Sequence, residues 1–202
     1  MLSEGEKKVY QAIYLNKEGL HIRDISRISE LTLPAVLKHI ARGEIEGAIF
    51  TEKKGRLKIC RLNFRNQNLI PVLQSVELSR FNKLPHSIQD SSNSFMHDLK
   101  EKPLISLIFG SYAKGNYSKK SDLDMLLAFQ RIDAKLMRDA EISASKISGR
   151  TGVNIQPASM GYDEFEREFM SHENEFMKDI RKNAMAIQGL DAYLKLLGRF
   201  YS

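Results

Sequence analysis

The chain has 202 residues, of which 42% are hydrophobic and 28% are charged, a composition typical of a globular protein. It contains no apolar run long enough to cross a membrane and no N-terminal segment of the signal-peptide type, so the sequence predicts a cytoplasmic protein with no membrane partner. The single cysteine, Cys60, excludes an internal disulfide, and neither it nor the histidines show the spacing of zinc ligands.

The net charge of +6 is concentrated near the N-terminus. Residues 1–65 contain 13 Lys and Arg against 8 Asp and Glu, a net charge of +5, whereas the remaining residues contain 18 against 17, a net charge of +1. An anionic polymer is the natural partner of a basic surface. The asymmetry therefore predicts that the N-terminal third binds nucleic acid.

Three helices are predicted in this basic third. Ser3 and Glu6 have the spacing of a capping box at the start of the first helix, over 3–16. A second, short helix covers 21–29, and a third follows, capped by Thr32, with Pro34 in its first turn and Gly47 at its end. Apolar residues of the third helix recur at helical spacing and predict one buried face, made of Leu33, Val36, Leu37, Ile40 and Ala41.

A β-hairpin is predicted after the third helix, because two strand-like runs, 48–51 and 56–64, flank a glycine turn. Three helices and a hairpin over roughly residues 1–65 resemble the winged helix-turn-helix domain of bacterial and archaeal regulators. The resemblance implies that the third helix enters the major groove of double-stranded DNA and that the hairpin, or wing, contacts the DNA backbone.

Basic residues on these two elements are the predicted DNA-binding set: Lys38, His39, Arg42, Lys53, Lys54 and Arg56. The alternative interpretation is a solvated basic face that serves contacts with another protein.

The segment 66–84 is predicted to connect two domains. Its apolar residues indicate a helix over 67–81, which either packs within one molecule or pairs two chains into a homodimer. A second domain is predicted over 85–202, beginning with a helix over 87–99.

The stretch 104–129 contains two apolar runs with the length of buried strands, separated by a glycine-containing turn. In the second run Asp122 and Asp124 are two residues apart, so both carboxylates face the same side of the strand. Two such carboxylates repel each other unless a cation lies between them, and hard oxygen ligands suit Mg²⁺ that carries a substrate's phosphates. Gly110 and Ser111, at the start of the next short helix, would form the phosphate cradle.

This pattern of Gly-Ser, ten further residues and Asp-x-Asp resembles the nucleotidyltransferase superfamily that includes DNA polymerase beta, and is closest to its minimal members. The resemblance covers roughly residue 95 to the C-terminus. It implies a small mixed sheet with helices, so the whole chain is predicted to be α+β. It also implies transfer of a nucleoside monophosphate from a nucleoside triphosphate to an acceptor hydroxyl, with Mg²⁺ on the two aspartates. Minimal members in toxin and antitoxin pairs modify a partner protein, which is one acceptor class to consider here.

Other residues of the motif are assigned to the nucleotide as well. Gly110 and Ser111 would hold the β- and γ-phosphates, and Lys114 and Ser121 are further predicted nucleotide-binding residues. Lys119 and Lys120 would add positive charge.

The third carboxylate of the family is missing. The predicted third strand covers 151–156 and ends at Pro157, and its outward-facing positions are the amides Asn154 and Gln156. An amide supplies no negative charge and cannot accept the acceptor's proton. Asp163 and Glu164 follow and are the candidates to substitute from a loop.

Two functions therefore stay open. The first is a nucleotidyltransferase, with Asn154 in the third catalytic position, that its winged helix brings to DNA or to a partner. The second is a DNA-binding regulator or antitoxin whose degenerate nucleotidyltransferase domain senses a nucleotide or dimerises.

Overall fold

The computed structural model describes residues 2–55 and 57–201, and only the backbone of Lys54. Within these ranges the chain forms an α+β fold with ten α-helices, one short 3-10 helix and two small sheets. The residues group into an N-terminal unit, Met1–Val76 with Leu197–Ser202, and a C-terminal unit, Glu77–Leu196. The boundary at Val76 lies inside the segment that the sequence predicts as a connector.

Residues 4–62 of the N-terminal unit form three helices and a three-stranded sheet. Its elements are α1 (Glu4–Tyr14), β1 (Leu20–His21), α2 (Ile22–Ser29), α3 (Leu33–Ile45), β2 (Ile49–Lys54) and β3 (Leu57–Leu62). The strand order is β1-β3-β2, with antiparallel pairing throughout. β2 and β3 are paired from Ile49 with Leu62 to Lys54 with Leu57, which confirms the predicted hairpin.

The start of α1 also agrees with the sequence. The Ser3 N–H donates to Glu6 Oε2 at 2.7 Å and the Glu6 N–H donates to Ser3 Oγ at 3.3 Å, so the predicted capping box is present. Thr32 precedes α3 as predicted, but its side chain makes no capping hydrogen bond.

The predicted buried face of α3 is wrong in part. Val36 and Ile40 are buried, but Leu33 and Leu37 are 40% and 45% exposed, and Ala41 is exposed too. Gly43 is buried instead, and a β-carbon there would overlap the Ile49 side chain. The glycine lets α3 approach β2 closely, so the helix turns a face inward that apolar periodicity does not mark.

The C-terminal unit is built on a four-stranded mixed sheet. A 3-10 helix (Gln67–Leu69) leads into α4 (Ile70–Asn82), which crosses the boundary between the units. The elements that follow are α5 (His86–Asp98), β4 (Ile105–Ile108), α6 (Gly110–Lys114), β5 (Leu123–Phe129), α7 (Ala134–Thr151), β6 (Ile155–Gly161), α8 (Tyr162–Met170), α9 (Glu175–Asn183), β7 (Met185–Gln188) and α10 (Leu190–Phe200). The last residues of α10, from Leu197, belong to the N-terminal unit. The strand order is β6-β5-β4-β7; β4 is antiparallel to β5 and β7, and β5 is parallel to β6.

The core of this unit surrounds the two central strands. All four residues of β4 are buried, and β5 is buried at every position except Asp124, which is half-buried. Apolar residues of α5 and α7 belong to the same core, among them Phe95, Ala144 and Ile147. The predicted order of strand, turn, short helix and strand over 104–129 is confirmed.

The third strand lies farther along the chain than predicted. The preceding helix α7 continues to Thr151, and β6 runs over 155–161, with Pro157 paired with Met125 inside the strand. β6 is an edge strand, where the missing N–H of a proline is tolerated. Pro157 therefore does not end the strand, and Asn154 precedes it.

Among the described residues, no helix combines the length and apolar content that spanning a membrane requires.

Candidate functional site

The candidate site lies where β4, α6 and β5 meet in the C-terminal unit. The chain leaves β4, turns at Gly110 into α6, and returns through β5 antiparallel to β4. The Phe109 N–H donates to the Asp124 carbonyl oxygen at 3.1 Å, which joins the turn to β5. The pairing places the Gly-Ser turn beside the Asp-x-Asp segment.

Both the backbone conformation at position 110 and the packing around it require a glycine. Its φ of +68° lies in the left-handed region that favours glycine, and a β-carbon there would overlap the Asp124 carboxylate. The carboxylate thus lies directly against the glycine backbone. Any larger residue at position 110 would displace Asp124.

The surroundings of Asp124 raise the pKa of its carboxyl group. Burial and, secondarily, the charge of Asp122 raise the pKa of Asp124 above its ordinary value. Asp122 is exposed immediately before β5, while Asp124 is half-buried within it. A cation beside both carboxylates would relieve this cost.

The donor set fits a hard cation that completes its coordination elsewhere. Within 2–55 and 57–201, no group of three or more His, Cys, Asp or Glu side chains is placed to hold a metal. Two carboxylates match Mg²⁺, which keeps several waters and takes further oxygens from substrate phosphates.

Asn154 is brought to the first aspartate, although it precedes β6. Its Nδ2 donates to Asp122 Oδ1 at 3.0 Å, and its carbonyl oxygen accepts from the Leu123 N–H at 2.8 Å. Gln156 is exposed and pairs with Asp124 in the β5–β6 register. The position predicted for a third carboxylate is therefore occupied by an amide that donates a hydrogen bond to Asp122.

Asp163 and Glu164 lie too far away to supply the missing carboxylate. They belong to the first turn of α8, which follows Gly161 at the end of β6 that pairs with Phe129. At about 3.3 Å per residue, that end of the strand is roughly 20 Å from the Asp122 end. The expectation that they substitute from a loop is wrong.

Lys114 and Ser121, which are also predicted to bind the nucleotide, have partners in the protein. Lys114 Nζ forms an ion pair with Asp179 Oδ1 on α9 at 2.9 Å. Ser121 Oγ accepts from the Ser118 N–H at 2.9 Å and closes the loop before β5. Lys119 and Lys120, in the same loop, are exposed.

Arg80 is a residue that the sequence does not reveal. Its guanidinium donates to the carbonyl oxygens of Ala113, Asn183 and Ala184 at 2.8–3.2 Å, and it pairs with the buried Glu77 at 3.0 Å. It therefore ties the end of α6 to the end of α9. A single arginine in a helix gives no sequence signal of such a role, because the three carbonyl groups that it binds are more than thirty residues away.

A cleft of about 690 Å³ adjoins Asp122 and Asn154. Its walls come from the start of α5, from Tyr112, from the loop 117–122 and from the turn 152–154. Tyr112 and Tyr117 stack with ring centroids 4.6 Å apart, and the Tyr112 hydroxyl donates to the Ser121 carbonyl oxygen at 3.3 Å. The cleft is thus a formed feature on the Asp122 side of the site.

The predicted DNA-binding residues differ in their availability. Lys38 and Lys53 are exposed, whereas His39 is half-buried against Gly5. Arg42 is held by ion pairs to Glu6 at 3.0 Å and Glu46 at 2.8 Å. Arg56 and the side chain of Lys54 lie outside the described part of the chain.

In comparisons with known proteins, no family model, no curated protein and no solved structure matches this chain.

We expect Asp124→Asn to raise the melting temperature at pH 7 in the presence of EDTA. The pKa of Asp124 is raised in the folded protein, so its ionised form destabilises the fold above that pKa. The destabilisation vanishes as the pH falls below about 3.9, because the carboxyl group is then protonated in the unfolded chain as well. Melting curves of both proteins between pH 3 and pH 8 measure it. Asp122→Asn, at the exposed position, is the matched control and should give a smaller gain. A difference between wild type and Asp124→Asn that is unchanged across this pH range would contradict the charge argument.

Proposed function

We propose that the C-terminal unit is a nucleotidyltransferase-like domain that binds a nucleoside triphosphate and Mg²⁺ between the Gly-Ser turn and the two aspartates. The observation that carries the proposal is the contact between the Asp124 carboxylate and Gly110. It brings a hard cation ligand next to a backbone turn that phosphates can approach closely. One triphosphate can then bind the turn and the cation together.

Asp122 and Asp124 would hold the cation, which when bound polarises the phosphate under attack and neutralises the departing pyrophosphate. The Ser111 hydroxyl and the backbone of the turn would donate to phosphate oxygens. Arg80 would keep the turn in place, because it fixes the far end of α6 through Ala113. Asn154 would orient Asp122 through its amide hydrogen bond.

A nucleotide-sensing role without efficient turnover is the second candidate. It is favoured by Asn154, which donates to Asp122 where the resemblance implies a third carboxylate. A hydroxyl acceptor would then meet no general base at this position. Binding of the nucleotide is common to both candidates.

For the N-terminal unit we infer binding of double-stranded DNA by a winged helix. The three helices with an antiparallel hairpin and the net charge of +5 over residues 1–65 support this inference. Lys38 and Lys53 are the exposed cations for phosphates, while Arg42 is held by Glu6 and Glu46.

A nucleoside triphosphate with Mg²⁺ should stabilise the protein against heat. Ligand at about a hundred times its dissociation constant raises the free energy of unfolding by about 2.7 kcal/mol, and Asp122→Asn should abolish this gain. Melting curves with each of the common nucleoside triphosphates measure it. Asp90→Asn, at an exposed carboxylate of α5, should behave as wild type. The proposal fails if wild type shows no gain with any of them, or if Asp122→Asn retains the full gain.

Replacing Lys38 and Lys53 with Ala should weaken binding of double-stranded DNA and flatten its salt dependence. Each lost phosphate contact should reduce the slope of log affinity against log salt by about 0.9. Gel-shift titrations at several salt concentrations give this slope. Lys135→Ala, at an exposed position of α7, removes a lysine outside the N-terminal unit and should leave the slope unchanged. If wild type binds no duplex even at low salt, the N-terminal unit is a protein-interaction module.

A further inference from the structure

The cleft beside Asp122 has the charge of an anion-binding site. Lys119 and Lys120 contribute to its wall, and Asp122 is the only acidic residue among the described residues that line it. Three serines, Ser87, Ser118 and Ser121, add hydroxyl groups. A cation bound to the aspartates would remove the one negative charge, leaving a positively charged wall.

Apart from Asp122, which the cation would occupy, the described residues that line the cleft offer no group that can take a proton from a hydroxyl. Asn154 stands at its Asp122 end as an amide and cannot accept one. The charged and hydroxyl-bearing side chains described there, other than Asp122, are lysines, serines and tyrosines, and none is a carboxylate or an imidazole. Burial raises the pKa of Tyr112 further from neutrality. The site therefore suits an acceptor whose attacking oxygen carries no proton.

We propose that the acceptor is a phosphate monoester that binds in this cleft, with its phosphate at Lys119 and Lys120. The inference rests on the proposed nucleotide site and names the substrate class of that site. The second pKa of a phosphate monoester is about 6, so at pH 7 to 8 its attacking oxygen is already ionised. The neutral amide at position 154 is then an advantage, since a carboxylate there would repel the dianion.

The transfer balances without a proton acceptor. An oxygen of the monoester forms a bond to the α-phosphorus of the nucleoside triphosphate, and the bond from that phosphorus to the oxygen bridging the α- and β-phosphates breaks. The electron pair of the broken bond leaves with pyrophosphate. The product is a phosphoanhydride that joins the nucleoside monophosphate to the acceptor's phosphate.

The tyrosine pair indicates that the monoester carries a planar base. Tyr112 is buried and anchored to the Ser121 carbonyl oxygen, and Tyr117 stacks on it while remaining 37% exposed. An aromatic ring fixed beside lysines is the arrangement that stacks bases next to bound phosphates. A nucleotide 5′-phosphate fits this wall better than a simple sugar phosphate does.

Binding is tested without metal or turnover. Two deoxytrinucleotides with a 3′-fluorescein, one with a 5′-phosphate and one with a 5′-hydroxyl, are titrated in EDTA and followed by fluorescence anisotropy. We expect the 5′-phosphate to improve the dissociation constant about tenfold. Replacing Lys119 and Lys120 with Ala should remove that preference, and Lys135→Ala should keep it. Equal affinity of wild type for the two trinucleotides would overturn the proposal.

Competition identifies the source of the phosphate. If Tyr117 binds a base, ribose 5-phosphate should displace the phosphorylated trinucleotide less effectively than the unlabelled trinucleotide does. Tyr117→Ala should bring the effective concentrations of the two competitors closer together. If ribose 5-phosphate displaces the trinucleotide at the same concentration as unlabelled trinucleotide does, the acceptor is still a phosphate monoester, but it is a small sugar phosphate and not a nucleotide.

Transfer is tested with an α-labelled nucleoside triphosphate and Mg²⁺. Wild type should label the phosphorylated trinucleotide and not its 5′-hydroxyl twin. Asn154→Asp should reverse this preference, because a carboxylate repels the dianion and can act as a base, which typically contributes about 10²- to 10⁴-fold. Equal or greater labelling of the hydroxyl twin by wild type would overturn the inference, as would no label on a phosphorylated trinucleotide that binds. If the melting temperature of wild type does not rise with any nucleoside triphosphate and Mg²⁺, the proposed nucleotide site itself is refuted.

Discussion

The contact between the Asp124 carboxylate and the backbone of Gly110 is the constraint on which the candidate site depends. It exists because β4 and β5 are antiparallel neighbours and the chain turns between them at a glycine with positive φ. The strand residues on either side of Asp124 are fully buried, so its carboxylate has little freedom to move away. The fold thus holds a half-buried carboxylate against the Gly-Ser turn, at a cost that a bound cation would offset.

The site is supported from elements far away in the sequence. Arg80 of α4 holds the ends of α6 and α9, and Asn154, at the turn before β6, holds Asp122. At the position where the resemblance implies a third carboxylate, the Asn154 amide donates a hydrogen bond to Asp122 in place of a repulsive charge. The proposed phosphate acceptor follows from that exchange, because a dianion needs neither a base nor another negative charge beside it.

Local patterns made much of the fold and part of the site predictable. Apolar runs around a glycine turn predicted β4, α6 and β5, and the period of two placed Asp122 and Asp124 together. The sequence-based predictions were wrong where packing between residues far apart in the sequence determines the structure. Gly43 rotates α3 onto β2 by close approach, and Pro157 is accepted inside β6 because that strand is at an edge. The acceptors of Arg80 and the register that carries Asp163 away from Asp122 depend on the sheet and on long-range contacts, which no local pattern encodes.

If the Gly110–Asp124 contact forms a site for a nucleoside triphosphate with Mg²⁺, a residue that disrupts this contact should weaken binding. Isothermal titration of wild type, Gly110→Ala and Gly115→Ala with Mg²⁺ and nucleoside triphosphate tests it most directly. Both glycines have positive φ, but a β-carbon meets Asp124 only at position 110 and nothing within 4 Å at position 115. We expect Gly115→Ala to bind as wild type does and Gly110→Ala to lose at least tenfold in affinity, about 1.4 kcal/mol. Equal binding by Gly110→Ala and wild type would contradict it.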